Sequence, residues 1–148
     1  MENEAHILGT ALELEKKGFK FYSEAARKTE NETGKKTFAQ LAKEEQEHIE
    51  SLQEKFSTLY PERTHKDIPI FDAKVSKYSG EVEALKIGRD MEKESIAFYS
   101  EWAKGDLQPL FTSLIEFEKK HLELLEAELD YVLRTGYWFD YFESSLED

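Results

Sequence analysis

Two stretches, one in each half of this chain, carry nearly the same residues. Positions 15–26 read EKKGFKFYSEAA and positions 92–103 read EKESIAFYSEWA, with Glu, Lys, Phe, Tyr, Ser, Glu and Ala in register. A second echo follows each: Phe38, Leu41, Glu45, His48 and Leu52 recur as Phe111, Leu114, Glu118, His121 and Leu125. The apolar members fall at helical spacings, the pattern of a helix that buries one face. What repeats is therefore a helix pair, and a lone helix pair cannot bury its own apolar face. Two copies in one chain predict an all-α fold, a four-helix up-down bundle in which each hairpin covers the other.

The polar residues inside the repeat are placed with equal regularity. Glu15 and Tyr22, like Glu92 and Tyr99, lie two turns apart on one helix face, offset by only ~20°. Glu45 and His48, like Glu118 and His121, lie one turn apart, so each pair can reach a common centre. Height along the bundle agrees as well, because facing residues of an antiparallel hairpin sit equally far from its turn. The midpoint of Glu15 and Glu45 is residue 30, inside the turn signal Thr29-Glu30-Asn31-Glu32-Thr33-Gly34. The midpoint of Glu92 and Glu118 is residue 105, inside Lys104-Gly105-Asp106. The four carboxylates are expected at one level. Acidic residues number 32 of 148, so a Glu three positions before a His also arises by chance. Glu62 and His65 have that spacing, but they follow Pro61 in an expected loop and have no repeat partner.

The chain reads as one domain. Helix A is expected over 4–28 with Asn3 as N-cap, and helix B over 34–60, stopped by Pro61. Helix C is expected over 81–104 behind a Ser79 cap. Helix D is expected over 109–134, opened by Pro109 behind an Asp106 cap and ended by Gly136. The 61–80 connection is long for a compact domain and suits one long crossover from end to end of the bundle. Its His65, Ile68, Ile70 and Phe71 are expected to pack over the core. Glu15 follows Ala11 and Leu12 by one turn on the apolar stripe of helix A, where an ionised carboxylate is costly unless a cation compensates it. Gly18 weakens that helix, which close packing would explain. The 135–148 tail carries Tyr137-Trp138-Phe139-Asp140-Tyr141-Phe142. So aromatic an extension is expected to fold onto the bundle or onto a partner subunit.

Composition narrows the function classes. Without cysteine there is no thiolate metal site, disulfide framework or thiol nucleophile. A net charge of −12 argues against nucleic acid, whose phosphates it would repel. No apolar segment approaches the ~20 residues that span a bilayer, and the opening MENEAHILGT has neither a basic region nor a long apolar run. A cytoplasmic protein with no nucleic-acid or membrane partner is expected.

Glu15, Glu45, His48, Glu92, Glu118 and His121 then form an inward set of four carboxylates and two imidazoles, the kind that holds two metal ions in helix bundles. Two divalent cations would balance the four carboxylates. Oxygen donors with neutral imidazoles suit iron or manganese, and zinc would suit a structural site. By position, Glu45 and Glu118 are expected to bridge, Glu15 and Glu92 to be terminal, and His48 and His121 to hold one ion each. Tyr22 and Tyr99 are expected to hydrogen-bond to ligand carboxylates and orient them.

The four-part motif, Glu-x6-Tyr on helices A and C and Glu-x-x-His on B and D, resembles the ferritin-like superfamily. Within it the chain is similar to the rubrerythrin-type di-iron domain, over nearly all of 4–134. That resemblance implies two iron ions held by the six residues above. It also implies reduction of hydrogen peroxide, or dioxygen, with electrons from a redox partner, an activity that protects anaerobes from oxidants. Two features depart from the family pattern. Rubrerythrins proper carry a rubredoxin domain with four iron-binding cysteines, and this chain has none, so a separate donor such as a rubredoxin is expected. They also carry an additional Glu beside the helix C ligand. Here Arg89 and Ser95 stand one turn either side of Glu92, and Glu94 faces elsewhere. A homodimer is the expected assembly. The alternatives are a ferritin-type protein that oxidises or stores iron, and a helical interaction protein with a structural metal.

Overall fold

The computed structural model describes residues 2–64, 66 and 77–141. These form α1 (Glu2–Lys28), α2 (Glu32–Leu59), α3 (Glu81–Trp102) and α4 (Gln108–Thr135), with a 3-10 turn at Gly105–Leu107 leading into α4 and no strand among the described residues. The ends differ in detail from the sequence signals. Because α1 already runs at Glu2, Asn3 lies inside it. Asn31 caps α2, its side chain accepting from the Gly34 N–H at 2.9 Å, and this starts the helix at Glu32. Gly80 rather than Ser79 is the N-cap of α3, and the Ser79 hydroxyl lies 3.3 Å from Glu83 Oε2. Asp106 is wound into the 3-10 turn, so Leu107 precedes α4 and no side chain caps it; Pro109 still sits in the first turn. Gly136 ends α4 in the left-handed conformation, φ 81°, its N–H returned to the Val132 carbonyl.

α1 packs along α2 and α3 along α4, and α1 against α3 joins the two hairpins. Tyr22 of α1 meets Glu92 of α3, and Tyr99 of α3 meets Glu15 of α1. The pairs run in opposite order along the two helices, so α1 and α3 are antiparallel. Since α2 is antiparallel to α1, it is parallel to α3, and the chain leaves α2 and enters α3 at opposite ends of the bundle. That topology requires one long crossover. Most of 61–80, with His65, Ile68, Ile70 and Phe71, lies outside the described residues. Among those described, no helix is long and apolar enough to cross a membrane.

The buried apolar side chains form two clusters. Leu8, Leu12, Leu52, Phe56, Tyr99 and Phe111 belong to one, Phe21, Phe38, Leu41, Leu85, Leu125 and Trp138 to the other. Each fully buried Leu or Phe contributes about 1.5–3 kcal/mol. The buried side chains between the clusters are polar on all four helices, so the bundle is held from both ends around a polar layer. The tail closes one end. Trp138 sets its ring edge-on to Phe38 at 5.6 Å and donates from Nε1 to Glu81 Oε2 at 3.1 Å. The buried Glu128 carboxylate accepts from the N–H groups of Phe139 and Tyr141 at 2.8 and 2.7 Å. Tyr137 stays 71% exposed, and Phe142 lies outside the described residues.

Candidate metal centre

Every helix delivers to the polar layer: Glu15 from α1, Glu45 and His48 from α2, Glu92 from α3, Glu118 and His121 from α4. All six are buried, none more than 5% exposed. They fall into two quartets, Glu15–Glu45–His48–Glu118 and Glu45–Glu92–Glu118–His121, each offering four donor atoms within 4.8 Å of one another. Glu45 and Glu118 belong to both. The oxygens of Glu118 divide between the histidines, Oε1 lying 3.0 Å from His48 Nδ1 and Oε2 3.7 Å from His121 Nδ1. Nδ1 of His48 is also 3.3 Å from Glu15 Oε2. Nδ1 of His121 is 3.3 Å from Glu45 Oε1 and 3.5 Å from Glu92 Oε1. The two imidazoles stack at 5.9 Å, 23° from parallel.

Two tyrosines brace the layer, each across the hairpin boundary. The buried Tyr22 hydroxyl donates to Glu92 Oε1, and that of Tyr99 to Glu15 Oε1, both at 2.7 Å. Such charge-assisted bonds are short and strong. Room for Tyr22 comes from Gly88, where a Cβ would come within 3.1 Å of its ring and 3.2 Å of its hydroxyl. A Cβ on Gly18 would come within 3.1 Å of Glu45 Oε2, which accounts for glycine in the middle of α1.

Burial pushes both phenols well above their ordinary pKa, and the charges of Glu45, Glu118 and Glu15 at Tyr22, and of Glu15 and Glu45 at Tyr99, push further. Both therefore keep their protons and remain donors. Burial also raises Glu45 well above the usual carboxylate range, reinforced by the charges of Glu15 and Glu118. Burial acts against ionised Glu118, but His121 and His48 outweigh it and lower its pKa to about 2. Burial likewise opposes a charged imidazole at His48, yet Glu118 and Glu15 raise it to about 9. His121 is raised well above its ordinary value, with Glu118, Glu44 and Glu45 overcoming the same burial.

In spite of this crowding, Glu45 Oε1, Glu92 Oε2, both Glu118 oxygens and His121 Nδ1 are buried without a hydrogen-bond partner. Close approaches such as His48 Nδ1 to Glu118 Oε1 at 3.0 Å and His121 Nδ1 to Glu45 Oε1 at 3.3 Å do not make hydrogen bonds. Buried polar atoms without partners are rare in folded proteins, and all five belong to the Glu45–Glu92–Glu118–His121 quartet, which shares Glu45 and Glu118 with the other. A divalent cation in each quartet would give them partners, and oxygen and imidazole donors without sulfur suit iron, manganese or zinc. The residues fit a pair of such ions.

The neighbours of Glu92 sort as their helical positions dictate. Glu94 is turned outward in a 3.7 Å ion pair with Lys17, Arg89 pairs with Asp90, and Ser95 is buried. Glu62 is exposed, and its spaced partner His65 lies outside the described residues. Two acids escaped the motif. Glu44 accepts from His121 Nε2–H at 3.4 Å, and its only sequence signal is its place one residue before Glu45. Glu128 is fully buried at the base of the tail.

The rubrerythrin family model matches residues 6–129, a span that takes in all six residues and both tyrosines. A solved structure, described only as a hypothetical protein from Pyrococcus furiosus, is similar with a TM-score of 0.76 and 21% identity, covering 88% of this chain and 90% of that one. At that identity the likeness speaks for the fold. No curated protein matches. With the family pattern running through most of its length and its four helices arranged in the ferritin-like way, the chain belongs to the rubrerythrin family.

Proposed function

We propose that this protein is a di-iron oxidoreductase that reduces hydrogen peroxide, or dioxygen, with electrons from a separate redox partner. The observation that carries this reading is the pair of quartets sharing Glu45 and Glu118, in which Glu45 Oε1, Glu92 Oε2, both Glu118 oxygens and His121 Nδ1 are buried without a hydrogen-bond partner. Glu45 and Glu118, common to both quartets, would hold both ions, while Glu15 and His48 would hold one and Glu92 and His121 the other. Tyr99 and Tyr22 engage one oxygen of Glu15 and Glu92 respectively, which fixes the carboxylate planes and leaves the second oxygen for the centre. A bound iron pair passing between ferrous and ferric would supply the two electrons that cleave the O–O bond of peroxide, and dioxygen would need a second pair from the redox partner. The apolar clusters on either side limit water, and the tyrosine hydroxyls hold their protons beside the terminal carboxylates.

These 148 residues contain no cysteine to build a rubredoxin-type centre, so the electrons would come from a donor outside them, such as a rubredoxin. A homodimer in the cytoplasm completes the proposal. Anaerobic loading with Fe(II), followed by stopped-flow mixing with peroxide or oxygen, tests it. Rapid oxidant decay with two irons per chain is expected. Iron uptake far beyond two per chain would favour storage, and a bound metal that never changes oxidation state would favour a structural site; either result overturns the oxidoreductase reading.

A further inference from the structure

The repeat relates the two quartets, but the residue before each Glu-x-x-His differs: Glu44 precedes Glu45, and Phe117 precedes Glu118. Each reaches the histidine of the opposite hairpin. Glu44 Oε1 accepts from His121 Nε2–H at 3.4 Å, and Gln40 Nε2 donates to Glu44 Oε2 at 3.0 Å. The Glu44 side chain is only 21% exposed, so the chain Gln40–Glu44–His121 is partly shielded from water. In the other half, Phe117 sets its ring at 61° against His48, 5.3 Å between centroids. The counterpart of Gln40 is Ser113, which is exposed. His48 thus has an aromatic neighbour where His121 has a carboxylate.

A carboxylate that takes the outer N–H of a ligating imidazole fixes its tautomer and ring plane and makes the inner nitrogen a better donor. Its charge adds a further attraction for a cation. A phenyl ring supplies neither. We propose that Glu44 is a positioning residue that makes the two metal positions unequal. The position framed by Glu45, Glu92, Glu118 and His121 fills first, and the one framed by Glu15, Glu45, His48 and Glu118 second. This rests on the two-metal reading above and adds an order of loading to it. The more weakly held ion is then the one beside Phe117, whose ring is 43% exposed.

Anaerobic titration of metal-free protein with Co(II), followed by ligand-field absorption, tests the inequality. Wild type should load in two steps, the second about 10–100-fold weaker, the range an outer hydrogen-bond partner commands. Glu44→Ala should weaken the first step by a similar factor and merge the two, with the final stoichiometry kept at two. Glu44→Gln, which keeps the shape and removes the charge, repeats the test should the alanine variant unfold. Phe117→Glu should tighten the second step. In proton spectra of the Co(II)-loaded protein, the shifted His121 N–H should exchange slowly in wild type and fast in Glu44→Ala, a change that general loosening would not confine to one ring. Two equal cations in wild type, or an unchanged first step in both Glu44 variants, overturn the proposal and leave the two-metal reading intact. Uptake of fewer than two Co(II) per chain by wild type overturns both.

Discussion

Set side by side, the α1–α2 and α3–α4 hairpins agree at Glu15 and Glu92, Tyr22 and Tyr99, Glu45 and Glu118, and His48 and His121. They part company one layer further out. Where α1 has Ala11 and Gly18, α3 has Gly88 and Ser95; where α2 has Gln40 and Glu44, α4 has Ser113 and Phe117. Several of these differences lie directly beside the shared residues. Gly18 gives room to Glu45, Gly88 gives room to Tyr22, and Glu44 and Phe117 touch the two histidines. The duplicated halves therefore supply one set of buried carboxylates and imidazoles, while the groups beside it differ between its two ends.

The largest effect should come where the halves are most alike. Glu45 and Glu118 each belong to both quartets, so Glu45→Ala and Glu118→Ala should each weaken iron binding by more than the ~10–100-fold that an outer partner is worth. Glu62→Ala, on an exposed residue off the bundle, should leave it unchanged. Calorimetric titration with Fe(II) under nitrogen measures all three. Equal binding by the three variants would contradict the bridging roles. A large loss in one bridging variant only would show that the halves share less than their sequences do.

A smaller effect separates the halves. Gly88→Ala would place a methyl 3.1 Å from Tyr22 Cε1, 3.2 Å from its hydroxyl and 3.3 Å from Leu125 Cδ2. Both neighbours are fully buried and have little room to give, so overpacking should cost about 1–3 kcal/mol. The equivalent position in α1 is already Ala11, in the cluster that contains Tyr99. Urea unfolding of metal-free Gly88→Ala against wild type reads the cost. An unchanged or raised midpoint would mean that Tyr22 can shift as freely as its partner, and that the asymmetry here is without consequence.

Much of this was legible from periodicity alone, because the deciding distances run within a helix or within a hairpin. Glu15 and Glu45 lie at one height because both are equally far from residue 30, and the Glu-x-x-His pairs share a face because three residues make about one turn. Contacts between hairpins were not legible. The tyrosines crossing to Glu92 and Glu15, and Glu44 reaching His121, depend on how α1 meets α3 and α2 faces α4, which no spacing within one helix encodes. Cap residues failed for a local reason. Ser79 and Asn3 are good caps by type, but Gly80 with φ 89° and an earlier start of α1 displaced them. Glu128 has no acidic counterpart in the first half, where Lys55 stands, and its burial follows from a tail whose path no repeat constrains.

The gentlest probe of the two halves is pH, acting on the metal-free protein. His48 is raised from 6.5 to about 9, so its stabilising contribution is complete below pH 6.5 and is lost as pH rises through 9. His121 and Glu45 are also raised, and their contributions likewise fall with rising pH. Glu118, lowered from 4.5 to about 2, stabilises above pH 4.5 and fades only as pH drops through 2. Between pH 6.5 and 9 every one of these terms is constant or falling, so the melting temperature should decline across that window, by ~2–4 °C for each kcal/mol lost in a chain of this size. Loading with a divalent metal should flatten the decline, because the ligating imidazoles are then held neutral throughout. His48→Gln and His121→Gln, compared by thermal melts at both pH values, divide the slope between the halves. A flat profile in the metal-free wild type would show that the histidines are not held protonated by the carboxylates around them, and would remove the electrostatic basis for treating the layer as one coupled set.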